Sequence, residues 1–526
     1  MSRESAEVAI LKSYPSPAST MEDAGEEVIY VEFEDGDRRN PLNYSRAKKW
    51  AITLTACLFA AITGAAASSF SISAPSMTAE LHCTELQATL GLGLYALGFG
   101  VIPLVTSSFS EEVGRRPVYI FSTVLFTLTQ VMVALAPNIG VVIAGRVLGG
   151  VFGSTGASLV GGSIADIWKP QERGIPMSLF AFSSLFSIGL GSVIGGVIES
   201  EPHLGWRWVQ WIHVMVSFLF VVLVLIVMSE TRSSIILTQM ARSKRKITRD
   251  NRHKAKAEIN KESLWSLIKT ACSRPLYFLL TEPLVQSFSI WVGFTWGVVY
   301  CLLESVSPMF ETVYGFNVRQ TGYVYGALSV GAFIGFIANM YQDKLYRQLR
   351  FHIHSRRYHG VTSSTTRIHY AQKKQEARLY LACVAALCLP VGMLIVAWTA
   401  SPKIHWMAPV IGLTVFMAGV MIIFHVAFLY LADCYNIYAS SAQAGQSLFR
   451  NTMALVFPLL TPQLFTALTY RWGLTLVGVL AFLMAPTPFV LFFYGSKIRA
   501  RSIASRQILA ADAQASETSR PRVEKV

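Results

Sequence analysis

The sequence predicts an all-α membrane protein of twelve transmembrane helices, arranged as two six-helix bundles with the N- and C-termini cytosolic. Three observations lead there. Residues of the set AVILMFWYC make up 52% of the 526 residues and charged residues only 14%, against about 25% charged in soluble domains. A soluble chain of this size could not cover its surface with so few charges. The apolar residues are gathered into twelve runs, and the basic residues are gathered into alternate loops.

A bilayer core needs about 20 apolar residues per helix. The runs are 50–72, 86–107, 118–136, 140–163, 176–198, 209–229, 276–303, 321–341, 379–400, 406–431, 445–468 and 473–494. Within them only Arg146, Glu282 and Arg450 are Asp, Glu, Lys or Arg. A charge at mid-bilayer costs about 3 kcal/mol on insertion scales, so runs this clean read as spans. No secretory signal leads the chain. The first 49 residues turn basic at Arg46, Lys48 and Lys49, directly before the first run. With that end inside, the external loops hold only Arg207, Arg319, Lys403 and Arg471, and 39 of the 45 Lys and Arg fall on the cytosolic side. The positive-inside rule is satisfied.

The domain plan follows: a cytosolic tail 1–49, a bundle 50–229, a basic linker 230–275, a second bundle 276–495 with a basic loop 342–378, and a tail 496–526. The net charge of +14 is concentrated in the linker and that loop, with twelve and nine Lys or Arg. Orientation and attraction to an anionic inner leaflet explain it better than nucleic acid does. The seven cysteines include no CxxC pair, so they read as small buried apolar residues rather than metal ligands or a redox couple. Neither a metal nor a cofactor is indicated. Gly91-Leu92-Gly93-Leu94-Tyr95-Ala96 fits a dinucleotide pattern, but no strand precedes it, and small-residue helix packing accounts for it.

Two echoes mark an internal repeat. Glu111 and Arg115 follow span two as Asp343 and Arg347 follow span eight, and Ala165-Asp166 closes span four as Ala432-Asp433 closes span ten. Repeats of this kind are common in secondary transporters. The stretch Ser110-Glu111-Glu112-Val113-Gly114-Arg115-Arg116-Pro117 resembles the loop motif of the major facilitator superfamily. A carboxylate and a guanidinium at a helix end can pair in one conformation and release in another. Gly114 permits a tight turn. Asn40-Pro41-Leu42-Asn43-Tyr44-Ser45 with Lys49-Trp50, Trp206-Arg207-Trp208-Val209-Gln210-Trp211-Ile212, Glu282-Pro283, Glu376-Ala377-Arg378-Leu379, and Arg450 with Pro458 resemble the fungal drug:proton antiporter branch with twelve spans. The resemblance covers about residues 40–500. Two departures stand out: Ser107 where the loop motif has glycine, and Ser192 where the branch's span-five motif has proline, in Gly191-Ser192-Val193-Ile194-Gly195-Gly196. The glycines Gly191, Gly195 and Gly196 are expected to pack helices closely.

The resemblance implies a secondary transporter working as a monomer by alternating access, exporting a small molecule against inward proton flow. A gating latch is expected from Glu111, Gly114, Arg115, Arg116, Asp166, Asp343, Arg347 and Asp433. Arg146 matches the branch's span-four arginine, thought to help couple proton movement; hydrogen bonding to backbone carbonyls is the other role open to it. A proton carrier needs a buried group that titrates, and the candidates are Glu282, Glu304 and His425, since the first six spans hold no Asp or Glu. The aromatics Trp291, Trp296 and Tyr300, with Tyr95, Tyr323 and Tyr325, are candidates for a cavity lining, because aromatic faces bind amphipathic organic molecules and cations.

An ATP-driven pump is disfavoured by the lack of a GxxxxGK[ST] loop. A membrane enzyme is disfavoured by the lack of GxSxG, HExxH or metal-spaced His/Cys clusters. A proton-independent facilitator or uptake carrier is the main rival, and a non-transporting sensor a lesser one. The plasma membrane is the expected location, with the vacuolar membrane as the alternative.

Overall fold

The membrane helices are set by local signals at their ends as much as by their apolar middles. In the computed structural model, residues 28–169, 172–259, 264–356, 376–435 and 438–501 are described. Among these, eleven helices are long and apolar enough to cross a membrane. They are α1 (Arg46–Ile72), α2 (Glu85–Thr106), α3 (Arg115–Ala134), α4 (Ile139–Ile167), α5 (Gly174–Glu199), α6 (Gly205–Val227), α7 (Pro283–Tyr314), α8 (Val318–Gln342), α9 (Glu376–Thr399), α10 (Met407–Tyr435) and a 61-residue stretch, Ala439–Arg499. That last stretch is two passes. Thr469 has φ 62° and ψ 164°, and a Cβ on Gly473 would lie 2.7 Å from the Phe465 ring. Residues eight apart touch only if the chain reverses between them. The twelve expected passes are therefore present, with α11 at 439–468 and α12 at 470–499.

Ser45 caps α1 by accepting from the Lys48 N–H, and Thr84 and Gln87 form a capping box at α2. Asn138 caps α4. Each side chain satisfies a backbone donor that the helix leaves orphaned. Pro283 starts α7, and Gly315 ends it with φ 67°. These last two points correct the expected span 276–303. Residues Leu264–Thr281 form a separate helix, the chain breaks at Glu282, and the membrane helix runs on to Tyr314. Glu304 thus lies well inside α7 and not at its end.

Glycines set how closely the helices approach. A Cβ on Gly98 would meet the Val147 carbonyl at 2.9 Å, joining α2 to α4, and one on Gly392 would meet the Gly412 carbonyl at 2.7 Å, joining α9 to α10. Between the halves, a Cβ on Gly196 of α5 would lie 2.8 Å from Cα of Gly322 on α8. One on Gly93 of α2 would lie 2.5 Å from Leu455 of α11. The two halves therefore meet along α5–α8 and α2–α11.

The basic linker is not featureless. It carries the helix Ser233–Thr248, and strand β2 (His253–Lys254) pairs in parallel with β1 (Ile29–Tyr30) from the N-terminal tail. Val31, Ile236, Met240, Ala241 and Ala255 form a small apolar cluster beneath that pair. Lys256 binds Glu32 at 2.6 Å, and Arg245 binds Glu258 at 2.8 Å. The side chains of Asp343 and Arg347, beyond the end of α8, lie outside the described residues.

Candidate transport site

Two guanidinium groups from opposite halves lie buried in the membrane core. Arg146 of α4 is 1% exposed. Its Nη1 donates to the Ala66 carbonyl at 2.8 Å, and its Nε and Nη2 reach the carbonyls of Gly91 and Ala67 at 3.4 Å. Its charge also lies over the rings of Tyr95 and Phe70, 4.2 and 4.3 Å from their centroids. The carbonyl bonds are those that the sequence left open to it. Arg450 of α11 is 6% exposed and sits over Trp296 of α7 at 4.5 Å and Phe424 of α10 at 4.9 Å. Tyr300, one turn beyond Trp296, interacts electrostatically with both arginines. Tyr95 is fixed by a 2.8 Å bond from its hydroxyl to the Thr63 carbonyl. Tyr95, Trp296 and Tyr300 are thus brought together with Arg146 and Arg450, a convergence that crosses the two halves.

The halves are tied to one another at the end that carries the α1–α2, α5–α6 and α7–α8 turns, the external end on the expected orientation. Arg319 at the start of α8 donates to Ser200 at 2.9 Å and pairs with Glu201, both just past α5. Ser71 of α1 donates to the Leu303 carbonyl at 2.6 Å, and Thr89 of α2 donates to a Glu304 oxygen at 3.4 Å. Tyr325 of α8 is buried and donates to the Leu303 carbonyl at 2.7 Å. It supports α7 beside Glu304 and is not beside the arginines.

At the opposite end, the cytosolic one on the expected orientation, charged side chains pair within each half. In the first, Arg115 is buried, with its Nε 3.3 Å from Asp166 and its Nη1 2.5 Å from Ser110. Glu111 is 3.9 Å from Arg115 and 3.1 Å from Arg232. Asp166 and Glu111 are each shared between Arg115 and Arg232, with Asp166 the nearer of the two to Arg115. Glu230 accepts from the backbone N–H of both Arg115 and Arg116, at 2.9 and 3.2 Å, and so caps α3. Gly114 has φ 109°, and a Cβ there would lie 2.5 Å from Glu230. The glycine of the motif is required by that close approach as well as by its backbone conformation. In the second half Asp433 pairs with Arg378, and Glu376 pairs with Arg499 at 2.6 Å.

Glu282 is buried at the break before α7, where it accepts from the Tyr435 hydroxyl at 3.0 Å. His425 and Trp291 are buried within the second half. Tyr323 is not brought to the site. It is 56% exposed and shares an outward apolar face with Val330, Ile334 and Ile337, a lipid-facing stripe. Gly191 and Gly195 face α1, where added Cβ atoms would meet the Ala65 carbonyl at 2.5 Å and Ile72 at 2.8 Å, whereas Gly196 faces α8. Ser192, in place of the branch's proline, bonds the Ile188 and Ser68 carbonyls at 3.4 Å.

Sequence reasoning missed Glu230, Arg232 and His213, the last joined to Ser69 at 2.7 Å in the first half. His213 follows directly on the span-six motif, which was the available signal. Glu230 had no signal beyond being the first acid after span six.

Twelve passes in two halves, with polar groups converging between them in the core, define a secondary transporter of the alternating-access kind. The comparisons with known proteins specify it further. The sequence profile of the Major Facilitator Superfamily matches residues 54–448. The MFS transporter cpaT of Aspergillus oryzae is 32% identical over 89% of this chain and 90% of its own length. The citrinin biosynthesis cluster MFS transporter mrr1 of Monascus ruber is 31% identical over 90% and 92%. The MFS-type efflux pump MFS2 of Trichophyton rubrum is 29% identical over 93% and 79%. Among solved structures, a bacterial homologue of the human lysosomal transporter Spinster, in an inward-facing and unoccupied conformation, superposes with a TM-score of 0.57 at 13% identity, over 86% of this chain and 98% of that one. The proton:xylose symporter XylE gives the same score at 16% identity, over 86% and 96%. The chain belongs to the Major Facilitator Superfamily: it is an integral membrane transporter of small molecules, not an enzyme.

Proposed function

We propose that this transporter exports an amphipathic organic compound, of the class of secreted metabolites and drugs, in exchange for protons entering the cell. The observation that carries the proposal is Glu304. It is the carboxylate placed at membrane depth on the seam between the halves, against Thr89 of the opposite half. A group that gains and loses a proton there can couple protonation to the joining and parting of the halves. Export as the direction is supported by the printed descriptions of relatives as an efflux pump and as a transporter of a biosynthesis cluster. Arg115–Asp166 and Arg378–Asp433 act as the cytosolic latches, each rearranging within its own half. The plasma membrane is the site of action on this reading.

A proton-independent facilitator is the second reading, favoured by Ser192 in place of proline and by the acid-free first six spans. Everted plasma-membrane vesicles with an acid interior and a trapped pH dye separate the two. Substrate-driven alkalinisation that survives Glu282→Gln and vanishes in Glu304→Gln supports antiport through Glu304. Flux with no proton movement in any variant establishes the facilitator.

A further inference from the structure

The aromatic faces at the centre of this protein are already occupied by cations of its own. The Arg146 guanidinium covers Phe70 and Tyr95, and the Arg450 guanidinium covers Trp296 and Phe424. Among the described residues neither guanidinium is paired with a carboxylate. Arg146 is satisfied by three carbonyls, but Arg450 is not. Its Nε has no hydrogen-bond partner, and its Nη2 reaches only Ser447, at 3.4 Å. Two more donors beside it are in the same condition. The Trp296 indole N–H and the Gln446 side-chain amide, one turn from Arg450 on α11, are unpartnered although both residues are more than nine-tenths buried. Burying a charge or a donor without an acceptor is costly. Three such donors on facing sides of α7 and α11 form a set that lacks its acceptor.

We infer that the acceptor is the transported molecule, and that the substrate is an amphipathic organic anion whose acidic oxygens dock on Arg450. This deepens the export reading and rests on it. A carboxylate or other acidic oxyanion supplies two acceptors in the geometry that a guanidinium matches. The Trp296 N–H and the Gln446 amide take the remaining lone pairs, and the Trp296 ring and Phe424 flank the apolar body. A lipophilic cation would instead meet the buried like charge of Arg450, with the aromatic platforms of Trp296 and Phe424 already covered. Polyamines and cationic drugs are therefore excluded from this site.

The test uses the purified full-length protein in lipid nanodiscs, without a proton gradient. The probes are naphthalene-, anthracene- and pyrene-carboxylates, each paired with its own primary amide, and the readout is quenching of tryptophan fluorescence. The wild type is expected to bind each acid about tenfold or more tightly than its amide, since one charge-assisted pair is worth a factor of that order. Arg450→Gln should weaken the acids about tenfold more than the amides and so erase the preference. Arg450→Lys should recover part of the preference. Acids bound no better than amides, whether both bind or neither does, overturn the inference. So does an Arg450→Gln variant that weakens acids and amides equally, which is the signature of a packing role. Rhodamine 6G, a lipophilic cation, binding more tightly than the acids also overturns it. Proton-free flux in vesicles overturns the coupling reading and leaves this one standing, so the two failures are distinguishable.

Discussion

Replacing Gly189 by alanine should force α5 and α8, and with them the two halves, apart. Gly189 lies on α5 where it meets α8, and a methyl group there would sit 2.6 Å from the Ser329 nitrogen and 2.7 Å from the Tyr325 carbonyl oxygen. Both are backbone atoms of a helix and cannot rotate away. Ordinary contact begins near 3.4 Å, so one helix must move by the better part of an ångström. Overpacking of this kind costs about 1–3 kcal/mol. The strain is relieved when α5 and α8 separate, so the cost acts on the equilibrium between joined and parted halves along that seam. That corresponds to a population shift of about 5- to 150-fold toward the open form. Spin labels at His203 and Gln320, both exposed and next to the α5 C-terminus and the α8 N-terminus, report it by electron–electron distance measurement in a variant freed of native cysteines. Gly326→Ala is the control on the same seam, because its methyl would meet only the Val193 side chain, at 3.6 Å. The reasoning is refuted if Gly189→Ala leaves the distances unchanged, or if Gly326→Ala shifts them equally.

Three further predictions concern other parts of the chain. Glu230→Ala should lower thermal stability by about 0.5–2 kcal/mol, the usual worth of a lost helix cap, with Glu230→Gln intermediate; a melting curve of the purified protein decides it. Arg146→Lys should lose two of the three carbonyl contacts, since an ammonium cannot reproduce the guanidinium fork, and should melt earlier by about 1–3 kcal/mol. In the linker, the Arg245 guanidinium hydrogen-bonded to Glu258 holds its carboxyl down at about 2. A depressed folded value gives stability that is present above the ordinary value of 4.5 and lost as pH falls toward 2. Amide exchange across Ser233–Thr248, corrected for intrinsic rate, should therefore be flat from neutral pH to about 5 and rise only below that.

Much of the fold was legible because the bilayer imposes a one-dimensional rule. Apolar length and loop charge are properties of contiguous sequence, and they place the passes without any tertiary information. The pair α11 and α12 is instructive. By helical continuity the two are one 61-residue stretch, yet the polar step at Thr469 to Arg471 divides them in the sequence and in space. Where a proline decided a boundary, apolar length misled, as at Pro283. The central site was legible only in part. Arg146 and Arg450 are conspicuous because charges in spans are expensive. That Arg450 would rest on Trp296 and Phe424 depends on the packing of α7, α10 and α11, which no local pattern encodes. The same holds for Glu230, whose value lies in the two backbone donors it meets on α3, and for β1 and β2, two-residue strands too short for a propensity signal.

The placement of the polar links bears on how Glu304 could act. The ion pairs Arg115–Asp166, Arg378–Asp433 and Glu376–Arg499 each lie within one half, so parting the halves at that end, the cytosolic one on the proposed orientation, need not break them. The other end, external on the proposed orientation, is different: Arg319–Glu201, Ser71–Leu303 and Thr89–Glu304 all cross the seam. On the proposed coupling, closing that seam carries the Glu304 carboxyl group out of water and against α2. The step is expensive for an anion and cheap for a neutral acid. On the proposed coupling, a proton taken from the external side accompanies closure and is released once the cytosolic side opens, which is the order an exporter driven by inward proton flow requires. Glu304→Gln imitates the protonated group permanently. The labels at His203 and Gln320 should then report a more fully closed external end whose distances no longer respond to pH, while the wild type opens as pH rises. A Glu304→Gln variant that opens externally, or that keeps the wild-type pH response, would show that the seam closes for reasons unconnected with this carboxylate.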